Sequence, residues 1–244
     1  METQKSKEKE ESIIEHIEAL RLAVLNSLCG LSICIIPMFF VAPYALKLFL
    51  KIILKDNNIA LNYFSPVEVF LVQIKMALIL ALIVSFPYIA REVWKFFAPA
   101  LYENERKFIS SIVWISSVLF ILGSLFCLFI ILPLIINFGL SFQSTNIQPV
   151  LGITNVVNLS LWLILSFGIM FQMPLVTHSL IKSGIISYNT IRDKRPYVVV
   201  GILIIAAILT PPDIISQIML FAPTYLLFEL GLLFSRNSKG QENE

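Results

Sequence analysis

Long uncharged runs, separated by short charged ones, set the pattern of this chain. Leu22–Leu46 carries no charge. As a helix it would be roughly 37 Å long, enough to cross a hydrocarbon core of about 30 Å. Pro37 and Pro43 are expected to kink or end it. Lys47, Lys51 and Lys55 should then decorate a short amphipathic helix that stops near Asp56. Pro66 stands where a second long helix should open, because the first turn tolerates proline. That helix is apolar over Val67–Ala90 apart from Glu68, Gln73 and Lys75, and Lys75 is expected to snorkel toward the outer interface. Phe108–Ile181 contains no Asp, Glu, Lys or Arg. Its length demands two spans, near Phe108–Ile136 and Ile153–Leu180, with a polar break at Ser141–Pro149 and bends at Pro133 and Pro174. After a basic loop, Lys182–Arg195, come two shorter apolar segments. Tyr197–Thr210 and Ile214–Phe228 would be only roughly 21 and 22 Å long as helices, and Pro223 interrupts the second.

The pattern predicts an all-α membrane protein with six transmembrane helices. Residues 1–11 are polar and expected to form a disordered tail. Ser12 and Glu15 have capping-box spacing. Ile13, Ile14, Ile17 and Leu20 recur at helical spacing, so a short amphipathic helix should lie at the interface and feed the first span. The membrane domain is thus expected over 12–236, with a second tail at 237–244. Composition agrees, with 57% hydrophobic residues and 14% charged, where a soluble protein carries roughly 25% charged. Lys and Arg number four in the amino-terminal tail, four in 91–107, four in 182–195 and two in the carboxy-terminal tail, against Lys47, Lys51 and Lys55 on the other side. The positive-inside rule therefore puts both termini in the cytoplasm.

Candidate chemistry is sparse. No nucleophile elbow, phosphate loop or paired His/Cys ligand set appears, so no enzyme, cofactor or metal is expected. Cys29, Cys34 and Cys127 lie in apolar runs without ligand spacing and read as packing residues. His16 and His178 read as interface residues. Polar groups in apolar surroundings remain. Gln172 should make an interhelical hydrogen bond. Asp213 should cap the sixth helix. Thr210, Ser216 and Gln217 give the last hairpin a polar end that offers hydrogen bonds to a partner helix. Glu18 and Arg21 stand at i,i+3 spacing and read as a helical ion pair. Residues 87–107 are the densest stretch, with Arg91, Lys95, Arg106 and Lys107 facing Glu92, Glu103 and Glu105 at a membrane surface. They read either as an amphipathic interfacial linker or as an acidic docking site for a basic peptide.

Taken together, these motifs resemble the TatC family, the multispanning core of the twin-arginine protein translocase. The likeness runs from Ser12 to Arg236. It rests on H-I-E-A-L-R at 16–21, P-Y-I-A-R-E-V-W-K-F-F-A-P-A-L-Y-E-N-E-R at 87–106, F-x-x-G-x-x-F-x-x-F-x-x-x-P at 120–133, F-G-I-M-F-Q-M-P at 167–174, R-P-Y at 195–197, T-P-P-D-I-I-S-Q at 210–217 and L-F-E at 227–229. The resemblance implies a cupped, glove-like set of six helices. It implies recognition of paired-arginine signal peptides at the cytoplasmic face, and export of folded proteins with TatA- and TatB-type single-span partners, driven by the proton-motive force. It also implies a homo-oligomer within a larger complex.

Glu105, the acid of N-E-R, matches the family's signal-binding glutamate, with Glu103, Glu18 and Arg21 around it. The family's amino-terminal acid falls at Ala19 here, with Glu18 beside it. The mid-membrane position often held by Glu in the family is Gln172, which cannot carry a proton. The family's proline in the first outer loop is also missing from Leu48–Ile52. The A-P-A-L-Y form of the loop resembles bacterial members, so a bacterial inner membrane is expected rather than a thylakoid. The alternative of a small-solute secondary transporter calls for membrane-embedded charges and paired broken helices, whereas the charges here crowd at one rim. A membrane scaffold without transport activity stays open at this stage.

Overall fold

A computed structural model describes residues 2–54, 61–101, 106–141, 150–209 and 214–240, with side chains over most of each. These residues are helical almost throughout. Asn62 and Gly152 form one isolated parallel bridge, in which the Asn62 N–H donates to the Leu151 carbonyl and the Ile153 N–H to the Asn62 carbonyl, both at 2.9 Å. Five helical segments are long and apolar enough to cross a membrane: Ile17–Ile53, Pro66–Phe97, Ser110–Leu140, Ile153–Lys182 and Ile214–Leu233. A sixth apolar helix, Arg195–Leu209, has 15 residues and is about 22 Å long. Large side chains such as Phe40, Trp114, Ile208 and Ile214 are exposed on the outside, as lipid-facing residues must be.

Helix α1 runs unbroken from Glu2 to Ile53. It begins before Ser12, so the Ser12–Glu15 pair lies inside the helix, preceded by Glu and Lys residues that are themselves good helix formers. It also continues through Pro37 and Pro43, which were expected to kink or end it, so neither ends it. The reason is tertiary. Ala42, Leu46, Phe49 and Ile53 recur at helical spacing and are all buried, so packing carries the helix across two missing hydrogen bonds. Lys47 and Lys51 therefore belong to α1 itself, not to a separate loop helix; Lys55 and Asp56 lie outside the described residues.

Helix α2 opens at Pro66 as expected and extends to Leu101. Its start is fastened by Glu68, whose carboxylate accepts from the Phe64 N–H at 3.1 Å. The stretch after Ala90, expected to be a linker, is thus largely a continuation of α2. It packs antiparallel along α1. Helix α3, Arg106–Phe126, passes through a π-helical segment at Cys127–Ile131 into α4, Leu132–Leu140. The Leu132 N–H reaches back to the Cys127 carbonyl, the wide turn that lets Pro133 enter without ending the span. The fourth span is α5, Ile153–Met170, and α6, Met173–Lys182, joined by a turn at Phe171–Gln172 just before Pro174. Gly184 follows at φ +74°, a left-handed conformation that turns the chain away from α6.

Within the basic loop, α7 forms over Tyr188–Asp193, with the Ser187 hydroxyl accepting from the Thr190 N–H at 3.1 Å. Helix α8 is Arg195–Leu209 and α9 is Ile214–Gly240. Pro223 does not interrupt α9, because Leu220, Thr224, Phe228 and Leu232 form a buried stripe on either side of it. Three interhelical contacts fix which ends lie together. The Asn26 amide of α1 meets Glu92 of α2, His178 of α6 meets Ser235 of α9, and Arg195 of α8 meets Glu229 of α9. The start of α1, the end of α2, the end of α6, the start of α8 and the end of α9 thereby meet in pairs at the rim where the charges crowd.

Candidate functional site at the charged rim

Helices α1 and α2 build one side of this rim. Glu92 is 7% exposed. Its carboxylate accepts from the Asn26 amide at 3.2 Å and from the Lys95 ammonium at 2.8 Å. A buried carboxylate must be satisfied in this way, and the two donors do it. Glu92 is thus committed inside the protein, although the sequence presented it as one of three acids open to a peptide. Asn26 was not foreseen. Its polar side chain in an uncharged run was the signal available.

From this contact α1 runs about 12 Å to Glu18, and α2 runs about 14 Å to Leu101 in the same direction, because the helices are antiparallel. Glu18 and the end of α2 are therefore level. Glu18 and Arg21 are both exposed and make no ion pair with each other among the described residues, so the i,i+3 pair is absent. Their charges point to the surroundings. Glu103 and Glu105 stand in the chain between α2 and α3, and both lie outside the described residues.

Beside this rim an apolar groove of roughly 460 Å³ runs into the bundle. Ile89, Val93 and Trp94 of α2 face Ile169 and Val176 across it, with Gln172 on its wall. Gln172 is fully engaged. Its side-chain carbonyl accepts from the Ser116 hydroxyl at 2.7 Å, and its amide donates to the Ser116 carbonyl at 3.1 Å and the Gly168 carbonyl at 3.4 Å. The expected interhelical hydrogen bond is present and twofold. It is possible because the helices touch closely there: a Cβ on Gly123 would lie 2.6 Å from the Phe167 carbonyl oxygen. Gln172→Leu should cost about 1 kcal/mol of stability, measured as reversible unfolding in mixed micelles. Combining it with Ser116→Ala should add less than the sum of the two single changes, because they remove the same contact.

The opposite side of the rim is the α8–α9 hairpin. Arg195 donates to Glu229 at 2.8 Å, and the Tyr225 hydroxyl donates to the other Glu229 oxygen at 2.9 Å. Two motifs that looked separate in the sequence, R-P-Y and L-F-E, are one clasp. Farther along, the Gln217 amide donates to the Leu203 carbonyl at 3.1 Å and Ser216 is buried. The Ser166 hydroxyl of α5 donates to the carbonyl of Leu209, the last residue of α8, at 3.0 Å. Ser216 and Gln217, expected to offer hydrogen bonds to a partner, are engaged or buried within the protein, as polar groups in lipid must be. Thr210 and Asp213 lie outside the described residues.

The comparisons with known proteins agree with this architecture. The family described as TatC, Sec-independent protein translocase protein, matches residues 15–223. The chain is 33% identical to the Sec-independent protein translocase protein TatC of Escherichia coli K12, over 98% of this chain and 94% of that protein. It is 32% identical to the TatC of Aquifex aeolicus, over 95% and 98% of the two chains. A crystal structure of a twin arginine translocase receptor, TatC, superposes with a TM-score of 0.81 at 32% identity, covering 90% of this chain and 99% of that one. A glove of six transmembrane helices, a polar rim at one end and similarity along nearly the whole chain converge: this protein belongs to the TatC family, the multispanning, non-enzymatic component of Sec-independent protein translocases.

Proposed function

We propose that this protein is the receptor for paired-arginine signal peptides and the core around which folded proteins are exported across a bacterial inner membrane. The single observation that carries the reading is the antiparallel α1–α2 pair, tied by Asn26 and Glu92, in which exposed Glu18 is level with the end of α2 that leads to Glu103 and Glu105. Two guanidinium groups need carboxylates held a fixed distance apart, and each such pair is bidentate and charge-assisted. The neighbouring groove supports the same reading. A signal peptide carries an apolar segment after its basic one, and the groove along the last turns of α2 is almost wholly apolar. The termini face the cytoplasm, where such a precursor is made.

TatA- and TatB-type single-span partners dock on the α8–α9 hairpin, and the proton-motive force drives transport within an oligomeric complex. The apolar residues of α8 support this docking better than the polar ones of the hairpin. Val200, Ile204 and Ile208 form an exposed stripe along α8, the shape that an apolar partner helix covers.

The test is crosslinking of a twin-arginine precursor to the protein in inverted membrane vesicles. The wild-type protein should form the adduct. Glu18→Ala should weaken precursor binding about fivefold, the share of one partly exposed charge pair. Glu18→Ala combined with Ala19→Glu should restore it or improve on it. Unchanged affinity in both variants would assign the site to the loop acids alone, and no adduct with the wild-type protein would remove the receptor role.

A further inference from the structure

Lys75 lies on α2 about 24 Å along the helix from Arg91. With Arg91 at one surface, that depth is near the opposite edge of a core of about 30 Å. The Lys75 side chain does not simply reach outward. It crosses to α5 and donates to the Asn158 side-chain carbonyl at 2.8 Å, and it remains exposed. Among the described residues no carboxylate pairs with it. Glu68, the nearest acid along α2, accepts from the Phe64 N–H. Below this lysine a second groove of roughly 460 Å³ opens between α2 and α5, walled by Leu78, Leu161, Leu165 and half-exposed Trp162. A cation fixed at the interface draws an anion to it. The groove itself offers no acid, so a second copy docked twofold here would set one Lys75 against the other.

We propose that this groove seats an acyl chain of an anionic phospholipid of the outer leaflet, with Lys75, held upright by Asn158, gripping its phosphodiester. The bilayer supplies this anion at every face of the protein, and one basic residue near the surface is enough to enrich it locally. The lipid would pin α2 to α5 on the side away from the signal-peptide rim.

Trp162 is a built-in reporter. In a variant carrying Trp94→Phe and Trp114→Phe it is the sole tryptophan. This variant is reconstituted in phosphatidylcholine vesicles in which a fixed fraction of either phosphatidylglycerol or phosphatidylcholine has brominated chains. Brominated phosphatidylglycerol should quench Trp162 as though bound about fivefold more tightly than brominated phosphatidylcholine. Lys75→Gln should bring that ratio to about one, and Lys75→Arg should keep it. Equal quenching by the two lipids before any change at Lys75, or a preference that survives Lys75→Gln, overturns the proposal. So does a Trp162 that neither lipid quenches, which would mean that protein covers the groove. Native mass spectrometry of the wild-type protein and Lys75→Gln gives an independent check. The variant should retain one phosphatidylglycerol fewer, and an unchanged count counts against the site.

Discussion

Glu105→Gln is expected to lower the affinity for a twin-arginine precursor about a hundredfold, while thermal unfolding of the purified protein stays as in the wild type. The substitution keeps the shape of the side chain and removes only its charge. What is lost is one charge-assisted bidentate pair, and truncating such a pair costs about 2–5 kcal/mol when the arginine is left desolvated without a partner. Glu103→Gln should cost much less, because the family resemblance puts the signal-binding acid at Glu105 and not at Glu103. Binding can be read by titrating a fluorescent precursor against the protein in nanodiscs. An affinity for Glu105→Gln within twofold of the wild type would remove this residue from the site.

Four leucines inserted into α8 should reduce export of folded cargo more than tenfold, with precursor binding unchanged. The helix as it stands is about 22 Å long against a core of about 30 Å. A helix this short either thins the bilayer or is shielded by partners. Its polar ends are tied down from within. Ser166 holds the Leu209 carbonyl, Gln217 holds the Leu203 carbonyl, and the Arg195–Glu229 clasp closes the other end. Helix α8 therefore keeps its own short length, and the bilayer thins beside it or a partner covers it. The insertion adds about 6 Å and removes the mismatch. Transport assays in vesicles, with folded cargo and with precursor crosslinking as the internal control, give the readout. Export at the normal rate from the lengthened protein would show that thinning plays no part.

Much of the fold was legible because a bilayer allows few solutions. Pro66 marked the start of α2, the uncharged length of Phe108–Ile181 demanded two spans, and Gln172 in an apolar helix demanded a partner, which proved to be Ser116. Proline was the misleading signal. Pro37 and Pro43 were read as kinks or ends and Pro223 as an interruption, yet all three sit inside helices that continue past them, because buried stripes outweigh the lost hydrogen bonds. A local rule cannot see those stripes. At the rim, exposure was legible in the sequence and internal pairing was not. Glu18 lies on the exposed polar face that its spacing suggested, although the expected pairing with Arg21 is absent. Glu92 looked like a free acid until Asn26, far away in the chain, was brought against it. Ser216 and Gln217 were misread for the same reason, since their partners or surroundings come from the folded hairpin and from no neighbour in sequence.

The central claim is that the rim reads arginine pairs. Photo-crosslinking residues in place of Ile17, next to Glu18 on α1, and in place of Val93, on the groove wall of α2, address it most directly. Both positions are exposed. Inverted vesicles carrying each variant are offered one precursor with its arginine pair intact and one with both arginines changed to lysine. A guanidinium matches a carboxylate bidentately and an ammonium does not. Both positions should therefore crosslink the arginine precursor, with at least a tenfold lower yield for the lysine form. Equal yields from the two precursors, or no adduct at either position, would contradict the account.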